Sequence, residues 1–540
     1  MLDFGCRREF ALSVVDLIRR LANDLDFDED RNWVSERGRI DDSHVRLNDA
    51  RLGHLLDPAL DGWSRQVDRF ADRPLRCQIV LLKDRQNLPV EVVERNARQS
   101  FIHRRSCTRN KIANGPIIFS ANFVLLAICF LATANEVPMF LINTNCAYKS
   151  ALDQRDAETL GFAAAKDVER FLSYRKDNAE TPLVALPNLA REIGVASIHL
   201  KDEGYRLGLG SFKALGGSYA VIRLALEEAE RRLGRPVDVS ELPTAEVAAV
   251  ARTMTVACAT DGNHGRSVAQ GAQLVGARAA IFVHSGVSDE RTAAIARFGA
   301  DVIRVDGTYD DSVQEASRVA AERGWTIVSD TSWPGYERIP GLVMQGYTPI
   351  VREALRKLPE PPTHVFVQSG VGGVAAAVAG HLAVVLGEGR PIFTVVDPER
   401  AACIVESAKA GHPVRIQHGE PTVMAMLECY QPSLVAWRIL ARVADAFMTV
   451  DEEEAISVMT RLAWPVSGDP AIVAGESGGV GLAGLIKAVS EADVKAALGI
   501  SPSSRVLVIN TEGATDPARY EEIVGMSPAQ VVARNLEKAQ

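Results

Sequence analysis

The 540-residue chain is predicted to be an α/β protein with a largely parallel sheet. Three observations predict it. From about residue 180 onward, short β-branched runs alternate with helical stretches. Several of those runs end in a glycine-containing turn that opens directly into a helix. The composition, 47% apolar and 24% charged, is globular, and the length calls for more than one domain.

Residues 1–115 read as an Arg/Asp-rich extension with only two lysines, Lys83 and Lys111. "FALSVVDLIRRLANDL" reads as a short amphipathic helix, and apolar periodicity weakens after it. No catalytic motif falls there, and no catalytic role is expected. The opening "MLDFGCRREFALSVV" is charged too early for a secretory leader. Residues 116–138 form an apolar segment with no charge between Lys111 and Glu136. It is long enough to be weighed as a membrane span, and 116–134 leave that reading open beside a buried or non-native segment. The catalytic region is expected to be 139–540, with Met139 a candidate start of the working protein.

Downstream, "ASIHLKDE" (196–203) reads as a strand, followed by a lysine loop and a helix over 212–233. "TMTVACAT" (253–260) is a strand, and "DGNHGRSVAQGAQLVG" (261–276) opens a helix. "ARAAIFVHS" (277–285) and "ADVIRVDG" (300–307) are strands with a helix between them. "THVFVQSGVGGVAAAVAGHLAVVLG" (363–387) is strand, glycine turn and helix. "PIFTVVDPE" (391–399) and "RVLVINTEG" (505–513) complete the set. Right-handed crossovers place the loops that follow the strands along one edge, where α/β ligands sit.

The net charge of −9 argues against nucleic acid as a partner. Eight cysteines with no CxxC pair fit reduced thiols in a cytoplasmic protein better than a zinc site, and no metal is expected.

The chemistry gathers at the glycine turns. In "GLGSFKALGGSYAV" (208–221), Lys213 stands among small residues at a helix start, an odd place for a merely solvated lysine. In "QSGVGGVAAAV" (368–378), Gly370, Gly372 and Gly373, with Val371 between them, would bare backbone N–H groups at a helix N-terminus, which suits a phosphate. A tight turn without a ligand is the plainer alternative. Neither GxGxxG nor GxxxxGK[ST] is present in this turn. A lone lysine, a cradle for a single phosphate, and a polar group for a ring nitrogen together point to pyridoxal 5'-phosphate. Thr511 in "VLVINTEGATD" is the candidate for the ring nitrogen, and a hydroxyl there suits β-elimination. In "ATDGNHGRSVA", Asn263 could bond the cofactor's ring oxygen or cap the helix. His264 reads as a structural histidine, and Asp261 as either a base or a turn-capping residue.

Taken with "DTSWPGYERIPGLVMQGY" (330–347), "VDPERAAC" (396–403), "TVMAMLECYQPS" (422–433) and "GESGGVGLAGL" (475–485), these segments resemble the fold-type II pyridoxal-phosphate enzymes. Within them, the chain is most similar to the diaminopropionate ammonia-lyase family. The resemblance implies two domains with mostly parallel sheets, flanked by helices, and the cofactor in the cleft between them. The smaller domain would be inserted at roughly 216–345. Lys213 would be the Schiff-base lysine, Asn263 the residue on the 3′-oxygen, Gly370 to Gly373 the phosphate loop, and Thr511 the group facing the pyridine nitrogen. Asp261 and Asp330 match the family's two acidic positions. Ser211 and Asp397 depart from its usual Asn and Glu. Cys403 and Cys429 lie in two of the matching segments and are expected to be neighbours, close enough for a disulfide to be considered.

The implied reaction converts a small amino acid, 2,3-diaminopropionate, to pyruvate and two ammonia in a homodimeric enzyme. Lys213 would take the α-proton from one face and Asp261 from the other. Serine or threonine dehydration on the same fold, and a non-catalytic ligand-binding protein, are the alternatives.

Overall fold

The computed structural model describes residues 78–81, 92–95, 103–105, 140–260, 262–466 and 468–538. Met1–Ser120 and Ala121–Gln540 are separate compact units. In the first, β1 (Gln78–Leu81), β2 (Val92–Arg95) and β3 (His103–Arg105) pair antiparallel in that order. The apolar segment 116–138 lies outside the described residues. Among those described, no helix is long and apolar enough to cross a membrane.

The second unit carries two sheets. The larger has seven strands in the order β4-β13-β12-β11-β14-β6-β5. Its central members are β6 (Ser197–Asp202), β11 (His364–Gln368), β12 (Ile392–Pro398), β13 (Ala446–Val450) and β14 (Arg505–Asn510). They run parallel. The edge strands β4 (Phe140–Ile142) and β5 (Leu183–Ala185) are three residues long and antiparallel. β11–β14 are largely apolar runs because both faces are covered, whereas β6 (SIHLKD) carries His199, Lys201 and Asp202. Val365, Val367, Leu507 and Ile509 enter one core with the helix Gly373–Leu386. Phe366, Val506 and Val508 enter the opposite core with the helix Val480–Ser490. The strand's two-residue period thus sorts one sequence run into two cores.

The smaller sheet is wholly parallel, in the order β10-β7-β8-β9. It comprises β7 (Thr255–Ala259), β8 (Arg278–His284), β9 (Asp301–Val305) and β10 (Thr326–Ile327). Ala257, Ala280 and Phe282 pack on the helix Tyr309–Arg323. Val256, Cys258 and Ile281 join the core shared with the helices Lys213–Leu233 and Asn263–Val275. Those two helices touch backbone to backbone. A Cβ on Gly271 would lie 2.8 Å from Ser218 Cα, so only glycine permits the approach. This contact positions the starts of both helices, and with them Lys213 and Asn263, beside the carboxyl ends of the strands.

Candidate active site

The chain reaches Lys213 from β6 through a turn over Glu203–Gly208. Ser211 then pairs with Glu512, and Phe212 N–H donates to Thr511 O at 2.9 Å. The lysine loop is therefore stitched to the end of β14. Lys213 opens a 21-residue helix, and its backbone N–H donates to Ser211 Oγ at 3.3 Å. Its Nζ lies 2.9 Å from Asp330 Oδ2, with both side chains partly buried.

Asp330 follows β10 on a loop anchored by Tyr336. The Tyr336 hydroxyl donates to Ile327 O (2.8 Å) and accepts from Ser329 N (3.0 Å). Burial alone would raise the Asp330 pKa, but the charge of the Lys213 ammonium and its hydrogen bond hold it well below the carboxylate range. His264 Nε2 bonds Val328 O at 2.8 Å, while Nδ1 faces Asp330 at 3.9 Å without a hydrogen-bond partner among the described residues. Burial lowers its pKa, so its ring is held neutral beside the ion pair.

Asn263 is the first residue of its helix, and Gly262 takes the cap position. Its side chain makes no cap bond. Nδ2 instead donates to Glu512 Oε2 at 2.7 Å, in the interior. Burial, with Glu476 adding to it, pushes Glu512 up to about 8.

The glycine turn after β11 has the form of an anion cradle. Gly372 has φ +97° and caps the helix Gly373–Leu386. An added Cβ there would lie 3.1 Å from Ala436 Cβ and Ile404 Cδ1. The N–H groups of Gly370, Val371, Gly372 and Gly373 donate to no other described residue. Four such groups at a helix start suit a phosphate. A Cβ on Gly373 would be 3.9 Å from Asp330 O, so the turn and the Lys213–Asp330 pair adjoin. A contact between Ser332 and Ser433 braces this junction, with Ser332 N donating to Ser433 Oγ at 3.0 Å and Ser433 N to Val371 O at 2.9 Å.

Thr511 is buried, and its hydroxyl accepts from Gln368 Nε2 at 2.8 Å. Gln368 also donates to Ile509 O at 3.1 Å and accepts from Gly481 N at 3.2 Å. Asp397 Oδ2 accepts from the N–H groups of Ile404 (2.9 Å) and Val405 (3.0 Å). The shorter acid thus caps a neighbouring helix start, and burial raises its pKa well above the usual carboxylate range. Cys403 and Cys429 both lie against Gly370. Cys403 Sγ is 3.5 Å from Gly370 O, and a Cβ on Gly370 would lie 3.0 Å from Cys429 Sγ. Both carry thiols.

Of the residues singled out from the sequence, Lys213, Asp330 and the 370–373 turn converge. Asn263 and Thr511 join them through the end of β14. Asp261 lies outside the described residues. Glu512, Glu476 and Gln368 were missed. A polar residue at the end of a buried strand, or two residues beyond it, was the available signal for Gln368 and Glu512. A lysine amine, four N–H groups at a helix start and a buried amide are the donor set that pyridoxal phosphate needs, so the residues fit that group.

Residues 174–512, more than half of the chain, match the model of the pyridoxal-phosphate dependent enzyme family. The diaminopropionate ammonia-lyase of Escherichia coli K12 is 39% identical over 352 residues, which are 64% of this chain and 87% of that protein. The Salmonella typhimurium enzyme of the same name is 37% identical over 356 residues, 64% of this chain and 88% of that protein. The crystal structure of the Escherichia coli enzyme in complex with an aminoacrylate-PLP azomethine reaction intermediate superposes with a TM-score of 0.64. It is 36% identical and covers 71% of this chain and 96% of its own. A tomato threonine deaminase, 18% identical at a TM-score of 0.55, shares the fold. The chain belongs to the pyridoxal-phosphate-dependent enzyme family and, within it, to the diaminopropionate ammonia-lyases.

Proposed function

We propose that this chain is a carbon–nitrogen lyase that converts 2,3-diaminopropionate and water to pyruvate and two ammonia. The observation that carries this reading is the Lys213–Asp330 pair, 2.9 Å apart, beside a helix start whose N–H groups have no described partner. Its support from relatives is the match to diaminopropionate ammonia-lyases along most of their length.

Gly370, Val371, Gly372 and Gly373 would hold the phosphate of the cofactor, Lys213 its carbonyl carbon, Asn263 its ring oxygen, and Thr511 its ring nitrogen. Bound there, pyridoxal phosphate supplies a sink for the negative charge left when the α-proton departs. Lys213, once displaced by the substrate amine, is a free base that can take that proton. Asp330 is kept ionised, which suits it to attract the substrate's second ammonium in a site shielded from water. Asp261 is assigned the base role on the opposite face. The β-nitrogen leaves as ammonia with the electron pair of its bond to carbon. The three-carbon enamine that remains is hydrolysed, giving pyruvate and the second ammonia.

The smaller domain is assigned to roughly 216–345, supported by a four-stranded sheet whose strands all lie between Thr255 and Ile327. A homodimer, a cytoplasmic location and dispensability of residues 1–138 complete the proposal. The first two rest on resemblance, the third on the absence of site residues upstream of 139. Replacement of Lys213 by alanine tests the central role. Pyruvate release from diaminopropionate should fall by about 10²-fold or more. Retention of wild-type turnover would remove Lys213 from the mechanism.

A further inference from the structure

Glu512 is not explained by holding the fold together. Its side chain is interior, yet no cation among the described residues lies within hydrogen-bonding distance. Oε2 accepts from Asn263 Nδ2 at 2.7 Å, and Oε1 has no partner among the described residues. A second interior carboxyl, Glu476, lies nearby, also with an unpartnered oxygen. Burying a carboxyl this way is costly and would be selected against unless it served the site.

The backbone around Glu512 is pinned from three directions. Ser211 pairs with it, Gly475 N–H donates to its carbonyl at 3.1 Å, and Gly513 N–H donates to Gly210 O at 2.9 Å. Glu512 therefore sits on a rigid platform between the lysine loop and the start of the Asn263 helix. An asparagine amide has two near-equivalent orientations, related by a half-turn about its last torsion. One rigid acceptor on its nitrogen selects between them. The raised pKa of Glu512 agrees with this arrangement, because a neutral carboxyl keeps its proton on the unpartnered oxygen and leaves Oε2 as acceptor.

We propose that Glu512 is a positioning residue of the cofactor site, whose Oε2 fixes the Asn263 side-chain amide in one orientation and so decides which edge it offers a bound ring oxygen. This rests on the proposed role of Asn263 toward pyridoxal phosphate.

The test uses holoenzymes of wild type, Glu512→Gln, Glu512→Ala, Asn263→Ala and the double alanine variant. Two readouts are followed, the position of the visible cofactor band and the rate of cofactor loss on dialysis. Glutamine can still accept from Asn263, so Glu512→Gln should keep the band position. Glu512→Ala should shift the band and release cofactor about tenfold faster, the loss expected for one hydrogen bond to a buried group. Because Glu512 acts through Asn263, the double variant should match Asn263→Ala. Unchanged band and retention in Glu512→Ala would overturn the proposal, as would additive losses in the double variant. Absence of any visible band in the wild type is a different result and would remove the cofactor reading itself.

Discussion

Removing the carboxylate of Glu353 should destabilise the enzyme more than any surface change, because it strands a buried positive charge. Glu353 lies on the helix Thr348–Lys357 and reaches an interior cluster of two cations and two anions. Its Oε2 accepts from Lys201 Nζ at 2.5 Å and Arg206 Nη2 at 2.8 Å, and its Oε1 from Arg206 Nη1 at 2.8 Å. Glu203 bonds Arg206 Nε at 2.8 Å and accepts from the Thr181 hydroxyl at 2.7 Å. Lys201, Glu203 and Arg206 are 0% exposed. The cluster is neutral as a whole, and burial still pulls the Lys201 ammonium below its ordinary range. Glu353→Ala leaves one uncompensated interior positive charge.

Breaking one member out of such a cluster costs about 3–5 kcal/mol. Over the roughly 400 residues of this unit, an unfolding entropy of about 2.1 cal/mol/K per residue converts that cost to about 4–6 °C in the thermal midpoint. The assay is thermal unfolding followed by circular dichroism, with Lys201→Met and the double variant alongside. The double variant is again neutral, with Arg206 and Glu203 still paired. It should be less destabilised than the sum of the singles by about 2 kcal/mol. A midpoint loss under about 1 °C for Glu353→Ala, or strict additivity in the double variant, would refute the reasoning. The consequence reaches the site, because the turn Glu203–Gly208, with Leu207 at φ +48°, lies directly before Lys213.

Gly372→Ala should force a side chain into a left-handed backbone and against Ala436 and Ile404, and should loosen cofactor about tenfold by fluorescence titration. Asp261→Asn should slow one enantiomer of diaminopropionate far more than the other, D more than L, in a pyruvate assay. Equal small losses would leave Asp261 only a turn residue. The pH dependence of the cofactor-free protein has two arms of opposite sign. Asp330 is held low, so its contribution is present above about pH 4 and is lost as pH falls below that. Glu512 is held high, near 8, and faces Glu476, Arg291, Lys213 and Arg266. Its contribution is therefore present at acid pH and is lost as pH rises from about 5 through 8. The stability of wild type relative to Glu512→Gln should fall across that window and level off above it, measured by urea midpoints.

Much of the larger sheet was legible because its central strands are short runs rich in β-branched and apolar residues, bounded by turns. "ASIHLKDE" became β6, "THVFVQ" β11 and "PIFTVVDPE" β12, each within one residue at its ends, and "RVLVINTEG" became β14, which stops three residues earlier at Asn510. The edge strands β4 and β5 were not legible, since three residues carry no period. β13, "AFMTV", is a buried run followed by a capping box at Asp451 and Glu454, and it was overlooked although the signal was present. Lys213 and the 370–373 turn could be read because helix starts and glycine turns are local chemistry. The partners of those residues could not be. Lys201 meets Glu353 across 152 residues, and Asn263 meets Glu512 across 249. Such pairs are set by packing between distant segments and leave no local pattern.

The measurement that bears most directly on the proposed function is the stoichiometry of the wild-type holoenzyme acting on 2,3-diaminopropionate, with pyruvate and ammonia quantified together and L-serine and L-threonine as competing substrates. Two ammonia per pyruvate are expected, at a rate well above that with either hydroxy amino acid. Faster turnover of serine or threonine, with one ammonia per keto acid, or no keto acid from diaminopropionate, would contradict it.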